Sequence, residues 1–219
     1  GEATPSSNCN NTSNATDASY FTFNSSNGTI TWYSNLWPKQ VMIPSTIGGV
    51  NVVNIGDLAF MNKSLTCVNI PNGVTHIGDL AFYINQLTSV TIANSVTNIW
   101  FGAFNRNNLS DSDAFIYARN PDGSEDTSTI IGYGGAQRDN IVIPNSVTIV
   151  GSNVFSNNQL TSVTIPSSVV SIGDHAFAYT HLTSVTIPNS VMNIGGYAFY
   201  GNQLTSVTIP NSVTSIEEL

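Results

Sequence analysis

The side chains that could do chemistry are few in this chain, and their spacing does not match a catalytic or metal-binding pattern. Histidine occurs three times, as His76, His175 and His181, at positions that other copies of an internal repeat fill with Ser, Asn, Leu, Tyr or Gln. A catalytic base or metal ligand needs fixed partners, which such interchangeable positions do not supply. The sequence has no serine-hydrolase, zinc-protease, phosphate-loop or C-x-x-C motif. We therefore expect no enzyme activity and no metal or other cofactor.

Three acidic residues lie close together at a turn, and such a cluster could form a calcium-binding loop. Asp122, Glu125 and Asp126 follow the segment Asn120-Pro121-Asp122-Gly123. A calcium-binding loop places its carboxylates in a D-x-D-x-D-G order, and that order is missing here. We expect these acids to belong to a hairpin turn.

The element that must position every other residue is a repeat of 22 residues. The segment from Leu182 to Gln203, LTSVTIPNSVMNIGGYAFYGNQ, is almost the same as the segment that begins at Leu160, and it begins again at Leu204. Leu65, Leu87 and Leu109 have the same spacing earlier in the chain. A fixed period in the twenties is typical of a solenoid, in which each copy buries its apolar residues against its neighbours.

The apolar pattern within one copy predicts a strand, a turn and a closing helical turn. Val185 and Ile187 alternate with outward-facing residues, and Pro188 ends the strand because it cannot donate a ladder hydrogen bond. We expect Val191 and Ile194 to turn the chain back, and both Phe199 and its counterpart Phe177 to be buried. The equivalent strands are predicted to form one parallel sheet: Val68 to Ile70, Val90 to Ile92, Val163 to Ile165, Val185 to Ile187 and Val207 to Ile209.

The full pattern, L-x-x-V-x-I-P-x-x-V-x-x-I-G-D-x-A-F-x-x-N, resembles the BspA-type leucine-rich repeats of bacteria, roughly from Val41 to the C-terminus. The resemblance implies a right-handed leucine-rich-repeat solenoid with one parallel β-sheet, and short strands or helical turns on its other side. It also implies a secreted or cell-surface protein that acts in adhesion or protein binding without catalysis. The expected partner is a protein or glycan on a host or neighbouring cell surface.

Composition excludes several other partners. The 219 residues are 41% hydrophobic and only 8% charged, with a net charge of −8 and five Lys and Arg in total. Nucleic acids and anionic membranes attract clustered basic residues, so neither is expected as a partner. No apolar run reaches the roughly 18 residues of a membrane span, so membrane insertion is not expected. No secretory leader is visible, and we expect that any leader was removed before Gly1.

The two cysteines, Cys9 and Cys67, are a possible disulfide. Cysteines in a secreted chain commonly pair, although Cys9 lies in a tail and Cys67 at a strand position that holds Ser in other copies. We predict the bond, with two free thiols as the alternative.

Three regions follow from these patterns. Residues 1–18 are rich in Ser, Asn and Thr and predict a flexible tail. Residues 19–40 predict a hairpin with strands Tyr20 to Asn24 and Thr29 to Tyr33 around an Asn-Gly turn, which would cap the solenoid core. Trp32 and Trp37 either complete this cap or form an exposed aromatic patch. Residues 41–219 are the repeats.

The repeats are interrupted at about residues 110–140. Ile92 and Ile143 are 51 residues apart, which is 29 more than one period. The extra residues predict a β-hairpin with strands Ala114 to Arg119 and Thr127 to Tyr133. Just before it, Trp100 and Phe101 replace the Gly-Asp of other copies. They are expected to pack under the insertion or, alternatively, to contact a ligand.

The candidate binding surface combines this insertion with the outward-facing residues of the sheet. Its residues are Trp100, Phe101, Phe115, Tyr117 and Tyr133, together with the polar ladder Asn69, Thr91, Thr164, Thr186 and Thr208. Three interpretations remain open: a protein- or glycan-binding face, an ice-binding face that uses Ser and Thr ladders, and a structural spacer of a larger surface protein. The sequence does not determine the ligand or the oligomeric state.

Overall fold

The structure, a computed structural model, describes residues 9, 14–34, 38–136 and 138–217. It is a β-solenoid of about eight turns with almost no helix. A 3-10 turn, Ala18–Tyr20, directly precedes the first strand. The solenoid predicted from the 22-residue period is thus confirmed.

The strands are short because each repeat has only a few residues for each side of the coil. Their bounds are β1 Phe21–Asn24, β2 Thr29–Tyr33, β3 Gln40–Met42, β4 Thr46–Ile47, β5 Val50–Asn51, β6 Asn54–Ile55, β7 Cys67–Ile70, β8 His76–Ile77, β9 Ser89–Ile92, β10 Asn98–Ile99, β11 Phe115–Arg119, β12 Glu125–Tyr133, β13 Ile141–Val142, β14 Ile149–Val150, β15 Val163–Thr164, β16 Ser171–Ile172, β17 Asn193–Ile194 and β18 Ser215–Ile216.

Two sides of the coil carry parallel ladders, and each ladder is divided in two. One side holds the sheets β1-β2-β6-β8-β10 and β11-β12-β14-β16-β17-β18. The other side holds β3-β7-β9 and β13-β15. Neighbouring coils pair in register, as in Val68 with Val90 and Ile55 with Ile77, so each apolar residue lies over its own copy in the next coil.

The predicted single sheet is therefore wrong. Val68 to Ile70 and Val90 to Ile92 share one sheet, Val163 and Thr164 belong to another, and the segments 185–187 and 207–209 are not strands. The second hairpin, β11–β12, separates the two sheets. The more continuous ladder is on the opposite side, where residues such as Ile194 form strands that the sequence had predicted to be turns.

Stacked aromatic rings form the centre of each half. Phe60, Phe82 and Phe104 stack with ring centroids 4.8 and 5.1 Å apart, and Phe155 and Phe177 stack at 5.0 Å. All five are essentially inaccessible to solvent.

Phe199 continues the second stack at 5.3 Å from Phe177, yet it is only half-buried. The prediction of a buried Phe199 is wrong, because among the described residues Phe177 stacks on one face of its ring and no further phenylalanine stacks on the other. The burial predicted for Phe177 is confirmed.

The apolar core is correspondingly split into two clusters. The first runs from Phe21 to Ile116, and the second from Ala114 to Ala198. We call these halves the first and second block. The second hairpin contributes to both clusters, since Ile116 packs in the first while Ile130 and Tyr133 pack in the second.

Each block begins with the same kind of hairpin. In the first hairpin, β1–β2, Phe21 pairs with Tyr33 and Ile30 continues the ladder to Ile55. In the second hairpin, Phe115 pairs with Tyr133 and Ile130 continues the ladder to Val150. Tyr33 then stacks on Phe60 at 5.2 Å, and Tyr133 packs on Phe155 at 5.4 Å.

Buried asparagines hold the closing turn of several coils. The Asn85 side chain accepts hydrogen bonds from the backbone N–H groups of Lys63 and Leu65 and donates to the carbonyls of Phe60 and Phe82. Asn107 makes the equivalent bonds one coil later. These bonds satisfy polar backbone groups that would otherwise be buried without a partner.

The same turn contains a residue in the left-handed conformation. Leu58, Leu80, Asn153, His175 and Tyr197 have φ between 53° and 60°. They occupy one repeat position, which points its side chain away from the core. The left-handed backbone is unusual for such residues, and the ladders on either side of the turn hold it in place.

The described part of the N-terminal tail is docked on the first block. Cys9 and Cys67 form a disulfide with Cα atoms 5.9 Å apart, and both residues are buried. Thr16 is also buried and its backbone N–H donates to the carbonyl of Met42 over 2.8 Å. The expectation of a flexible tail is wrong for these residues, because covalent and backbone bonds fix them. The rest of residues 1–18 lies outside the described residues.

Trp32 does not fill the end of the core. Its side chain is 48% exposed, and the Lys63 ammonium lies 3.4 Å from its ring centroid. Phe21 and Tyr33, from the other face of the hairpin, cover the core instead. Trp37 lies outside the described residues.

Candidate functional site

The predicted polar ladder is present only in pieces. Thr91 and Thr164 lie on strands of different sheets, with exposed side chains, and Asn69 is half-buried beside Met42. Thr186 and Thr208 are exposed but lie outside any strand. The described residues therefore do not present one regular Ser and Thr array, because the second hairpin interrupts it.

The interruption creates a cleft at the junction of the two blocks. This junction cleft has a volume of about 520 Å³, within the range of ligand-binding pockets. Its walls come from the segment before the second hairpin, from β11, from the end of β12 and from the start of the second block. They are formed by Asp111, Ser112, Ala114, Phe115, Tyr117, Tyr133, Asn140, Ile141, Val142 and Pro144.

A smaller cleft of about 200 Å³ lies on the other side of β11. Val90 and Ile92 of β9 form one wall, and Arg119 and Glu125 of the second hairpin lie on another. Phe115 and Tyr117 line both clefts. The second hairpin thus presents two aromatic side chains between two hollows of mixed polarity.

Of the predicted aromatic residues, the second hairpin brings three together. Phe115 and Tyr117 are half-buried and keep part of their surface in the clefts, whereas Tyr133 is only 2% exposed. Burial raises the pKa of Tyr133 to about 12, because the phenolate would lose its solvation. Tyr133 therefore serves mainly as a packing residue, which corrects its assignment as a surface contact.

Trp100 and Phe101 do not pack under the insertion. They are 57% and 40% exposed, and they lie in separate surface hollows. The hollow at Trp100 also contains Arg119 and Ala118 of the second hairpin. The expectation that they pack under the insertion is wrong, because Ile116 and Ile131 of the hairpin already cover the first core at that point.

The acidic residues of the second hairpin stabilise its turns. Asp122 accepts a hydrogen bond from the backbone N–H of Ser124 over 3.0 Å, and Asp126 accepts one from that of Ser128 over 3.1 Å. Bonds from these two serines lower the pKa of both carboxyl groups. Neither carboxylate points into the junction cleft, which takes its negative charge from Asp111.

Arg119 is a basic residue near the tip of the second hairpin. Its Nη1 donates to the carbonyl of Gly123 over 2.8 Å, and burial lowers its pKa while Glu125 opposes that shift. Gly123 itself is required at the hairpin tip: its φ is +81°, and a Cβ there would lie 1.5 Å from the carbonyl oxygen of Asn94. The tip is therefore fixed against the preceding coil.

Sequence reasoning missed Asp111, Asn140 and Val142 in the junction cleft. A signal existed for Val142, since Val41-Met42-Ile43-Pro44 and Ile141-Val142-Ile143-Pro144 both begin eight residues after a tyrosine that ends a hairpin. It also missed an exposed aromatic group on the turns of the second block. There His175 stacks on Tyr197 at 5.2 Å, and Tyr200 packs edge-on against Tyr179 at 5.3 Å.

His76 has structural partners for both of its ring nitrogens. One ring nitrogen of His76 lies 2.8 Å from the Asn98 amide nitrogen and the other lies 2.8 Å from the Thr75 hydroxyl. Within the described ranges, no group of three or more His, Cys, Asp or Glu residues could hold a metal ion. In the same ranges, no helix has the length and apolar character to cross a membrane.

Comparisons with known proteins place these features among leucine-rich repeats. A profile of the BspA type leucine rich repeat region matches residues 13–115 and 133–219 in six copies. The gap between the two matched ranges coincides with most of the second hairpin. None of the curated proteins matches the chain at a significant level.

Similar crystal structures include two bacterial leucine-rich repeat proteins. A leucine rich cell surface protein from Faecalibacterium prausnitzii is 32% identical over 88% of this chain and 53% of its own, with a TM-score of 0.48. A leucine-rich repeat protein from Eubacterium ventriosum is 20% identical over 82% of this chain and 60% of its own, with a TM-score of 0.51, and it has the same fold. This chain spans less than two thirds of the length of either protein.

Proposed function

Because the chain belongs to the BspA-type leucine-rich repeat family, we propose that it is a non-enzymatic extracellular module that binds a protein or glycan at a cell surface. The junction cleft is the proposed binding site. The observation that carries this proposal is the interruption of an otherwise regular coil by a hairpin that forms a hollow of about 520 Å³.

The composition of the cleft suits recognition better than catalysis. Phe115 and Tyr117 supply aromatic surface, Val142 supplies exposed apolar surface, and Asp111 and Asn140 supply polar groups at the rim. Aromatic anchors surrounded by polar groups are typical of binding interfaces. A regular coil presents the same groups at every turn, so specificity is expected where the coils differ.

The disulfide supports an extracellular location. Cysteine pairs form and persist in oxidising environments and are rare in the cytosol. The low proportion of charged residues and the Ser, Thr and Asn surface fit the same location.

The test is binding of the purified, labelled protein to intact bacterial and epithelial cells. Tyr117→Ala and deletion of Asn120 to Asp126 are expected to weaken binding at least tenfold, while circular dichroism shows an intact solenoid. Trp32→Ala is the matched control, because Trp32 is also an exposed aromatic residue of a hairpin but lies away from the cleft. Treating the cells with protease or with glycosidases separates a protein receptor from a glycan.

Two other functions predict different outcomes. An ice-binding face would give thermal hysteresis that Thr186→Lys abolishes and the hairpin deletion does not. A spacer would bind no surface, and Tyr117→Ala would change nothing. Either outcome would overturn the proposal.

A further inference from the structure

The outer edge of strand β3 in the first block is occupied by the chain's own N-terminal segment. The Met42 backbone N–H donates to the Thr16 hydroxyl over 2.8 Å, and the Thr16 backbone N–H donates to the Met42 carbonyl over 2.8 Å. On its other edge β3 pairs with β7, where the Ile43 N–H donates to the Asn69 carbonyl. A short extended segment thus closes the free edge of this sheet, and Thr16 is buried as a result.

Strand β13 is the equivalent strand of the second block. It pairs with β15 through the N–H groups of Ile141 and Ile143, which donate to the carbonyls of Ser162 and Thr164 over 3.3 and 3.1 Å. Neighbouring residues of a strand direct their backbone groups to opposite edges. The Val142 N–H and carbonyl therefore point away from β15, as those of Met42 point away from β7.

The edge at Val142 lies open in the described part of the chain. The Val142 side chain is 61% exposed, and no hydrogen bond from residues 14–34, 38–136 or 138–217 closes its outer edge. An exposed apolar residue on an open edge is unusual, because such edges invite pairing with another chain. The junction cleft lies along this edge.

The segment that precedes the second hairpin does not pair with the outer edge of β13, because its backbone is hydrogen-bonded to residues 134–136. Leu109 bridges to Gly135: its N–H donates to the Gly134 carbonyl over 3.0 Å, and its carbonyl accepts from the Ala136 N–H over 3.2 Å. This connection to the third coil keeps Asp111 and Ser112 on the far wall of the cleft. No residue of the ranges 14–34, 38–136 and 138–217 consequently fills, in the second block, the space that Thr16 fills in the first.

We propose that the outer edge of β13 binds an extended polypeptide segment of a partner protein by strand addition. The partner backbone would donate to the Val142 carbonyl, and a hydroxyl-bearing residue would accept from the Val142 N–H, as Thr16 does at Met42. Main-chain hydrogen bonds supply affinity in this mode, and side-chain pockets such as that of Phe115 and Tyr117 supply specificity. This inference rests on the proposed binding function and narrows the partner to a polypeptide.

The probe is a synthetic peptide with the sequence of residues 12–18, Thr-Ser-Asn-Ala-Thr-Asp-Ala, titrated into the isotope-labelled protein. We expect saturable amide shifts at Val142 and at Phe115. N-methylation of the second Thr removes its N–H and is expected to weaken binding about tenfold, and its replacement by Val, which removes the hydroxyl, about fivefold. Because the protein is unchanged in these comparisons, a folding defect cannot produce the result.

Two protein variants complete the test. Val142→Pro removes the outward N–H and is expected to abolish peptide binding, while Met42→Pro is the matched control and is expected to leave it unchanged. Equal binding of the native and N-methylated peptides would overturn strand addition, as would the absence of peptide binding.

The results also distinguish a failure of strand addition from a failure of the proposed binding function. If the peptide fails to bind but Tyr117→Ala still weakens cell-surface binding, strand addition is wrong and the binding function stands. If neither effect is seen, both are wrong. Light scattering tests whether a second copy of this chain occupies the edge of β13. A dimer that Val142→Pro dissociates would show this, and it would overturn the proposal that the occupant is a different protein.

Discussion

The two hairpins have the same strand pairing but opposite surroundings. Toward the following coils both present an aromatic pair and an isoleucine: Phe21, Tyr33 and Ile30 in the first hairpin, and Phe115, Tyr133 and Ile130 in the second. The other face differs. The first hairpin carries exposed Thr22, Thr31 and Trp32 there, whereas the second carries Ile116, Ile131 and Gly132, which contact the preceding coil or are buried.

One face of a two-stranded ribbon therefore decides whether it ends a solenoid or divides it. A polar face lets the first hairpin border water, which a solenoid end requires. An apolar face lets the second hairpin lie between two cores. Because each strand alternates its side chains between the faces, the two roles differ at only a few positions.

The largest effects are expected at the centres of the two aromatic stacks. Phe82→Ala and Phe155→Ala should each lower the free energy of unfolding by ~3–5 kcal/mol, since both rings are fully buried and leave a cavity. Hydrogen exchange should place the loss mainly in the first block for Phe82 and in the second for Phe155. The half-buried Phe199 serves as the control and should cost about half as much on Ala substitution. Losses below ~1 kcal/mol for Phe82 or Phe155 would show that the stacks are not the core.

The next largest effect is expected at the disulfide, which is attached to the first block. Cys9→Ser removes a link that spans 58 positions and should cost ~2–4 kcal/mol of stability. Hydrogen exchange should quicken in β3 and β7 but not in β13 and β15, where Ser162 takes the place of Cys67. Faster exchange in both pairs of strands would mean that the blocks unfold as one unit.

Exchanging the outer faces of the hairpins should have a smaller, asymmetric effect. Ile116→Thr should cost ~1–3 kcal/mol, because it places a hydroxyl against the first core and removes apolar burial. Thr22→Ile, its counterpart at an exposed position, should change stability by less than about 0.5 kcal/mol. Chemical denaturation of the pair tests the comparison, and equal costs would contradict the assigned roles.

The last expected effect is confined to high pH, where the protein should lose stability. Burial raises the pKa of Tyr133 from its usual 10 to about 12, and burial also raises that of Tyr33, the equivalent residue. Because the unfolded chain loses these protons first, the contribution is complete below pH 10 and is lost as the pH rises toward 12. Tyr133→Phe should flatten this decline in urea unfolding measured between pH 9 and 12. An unchanged slope would show that Tyr133 does not titrate differently on folding.

Much of the fold could be predicted from the sequence because the same pattern of apolar residues recurs every 22 residues. The spacing of Leu160, Leu182 and Leu204 predicted the solenoid, and the Asn-Gly and Asn-Pro-Asp-Gly turns stand where the two hairpins lie. The division of the sheet was not predicted, because residues 185–187 have the same local pattern as β9. Whether such a segment becomes a strand depends on its neighbours in space.

The candidate site was predicted only as a region. Phe115 and Tyr117 were identified because they are aromatic and lie in an irregular segment, and both line the junction cleft. Val142 was not identified, because nothing in its own segment separates it from other strand residues, and the matching position of Met42 does not by itself indicate an open edge. Its exposure results from the path of Leu109, which a repeat pattern does not describe.

The left-handed turn position gives the fold a capacity for rapid diversification. Leu58, Leu80, Asn153, His175 and Tyr197 occupy one position of the coil with the same backbone and different side chains. The backbone there is set by the neighbouring ladders, so the side chain can vary without changing the core. Replacing the residues of this row should therefore yield stable variants with new surfaces, and Leu58, Asn153, His175 and Tyr197 already give four coils four different side chains.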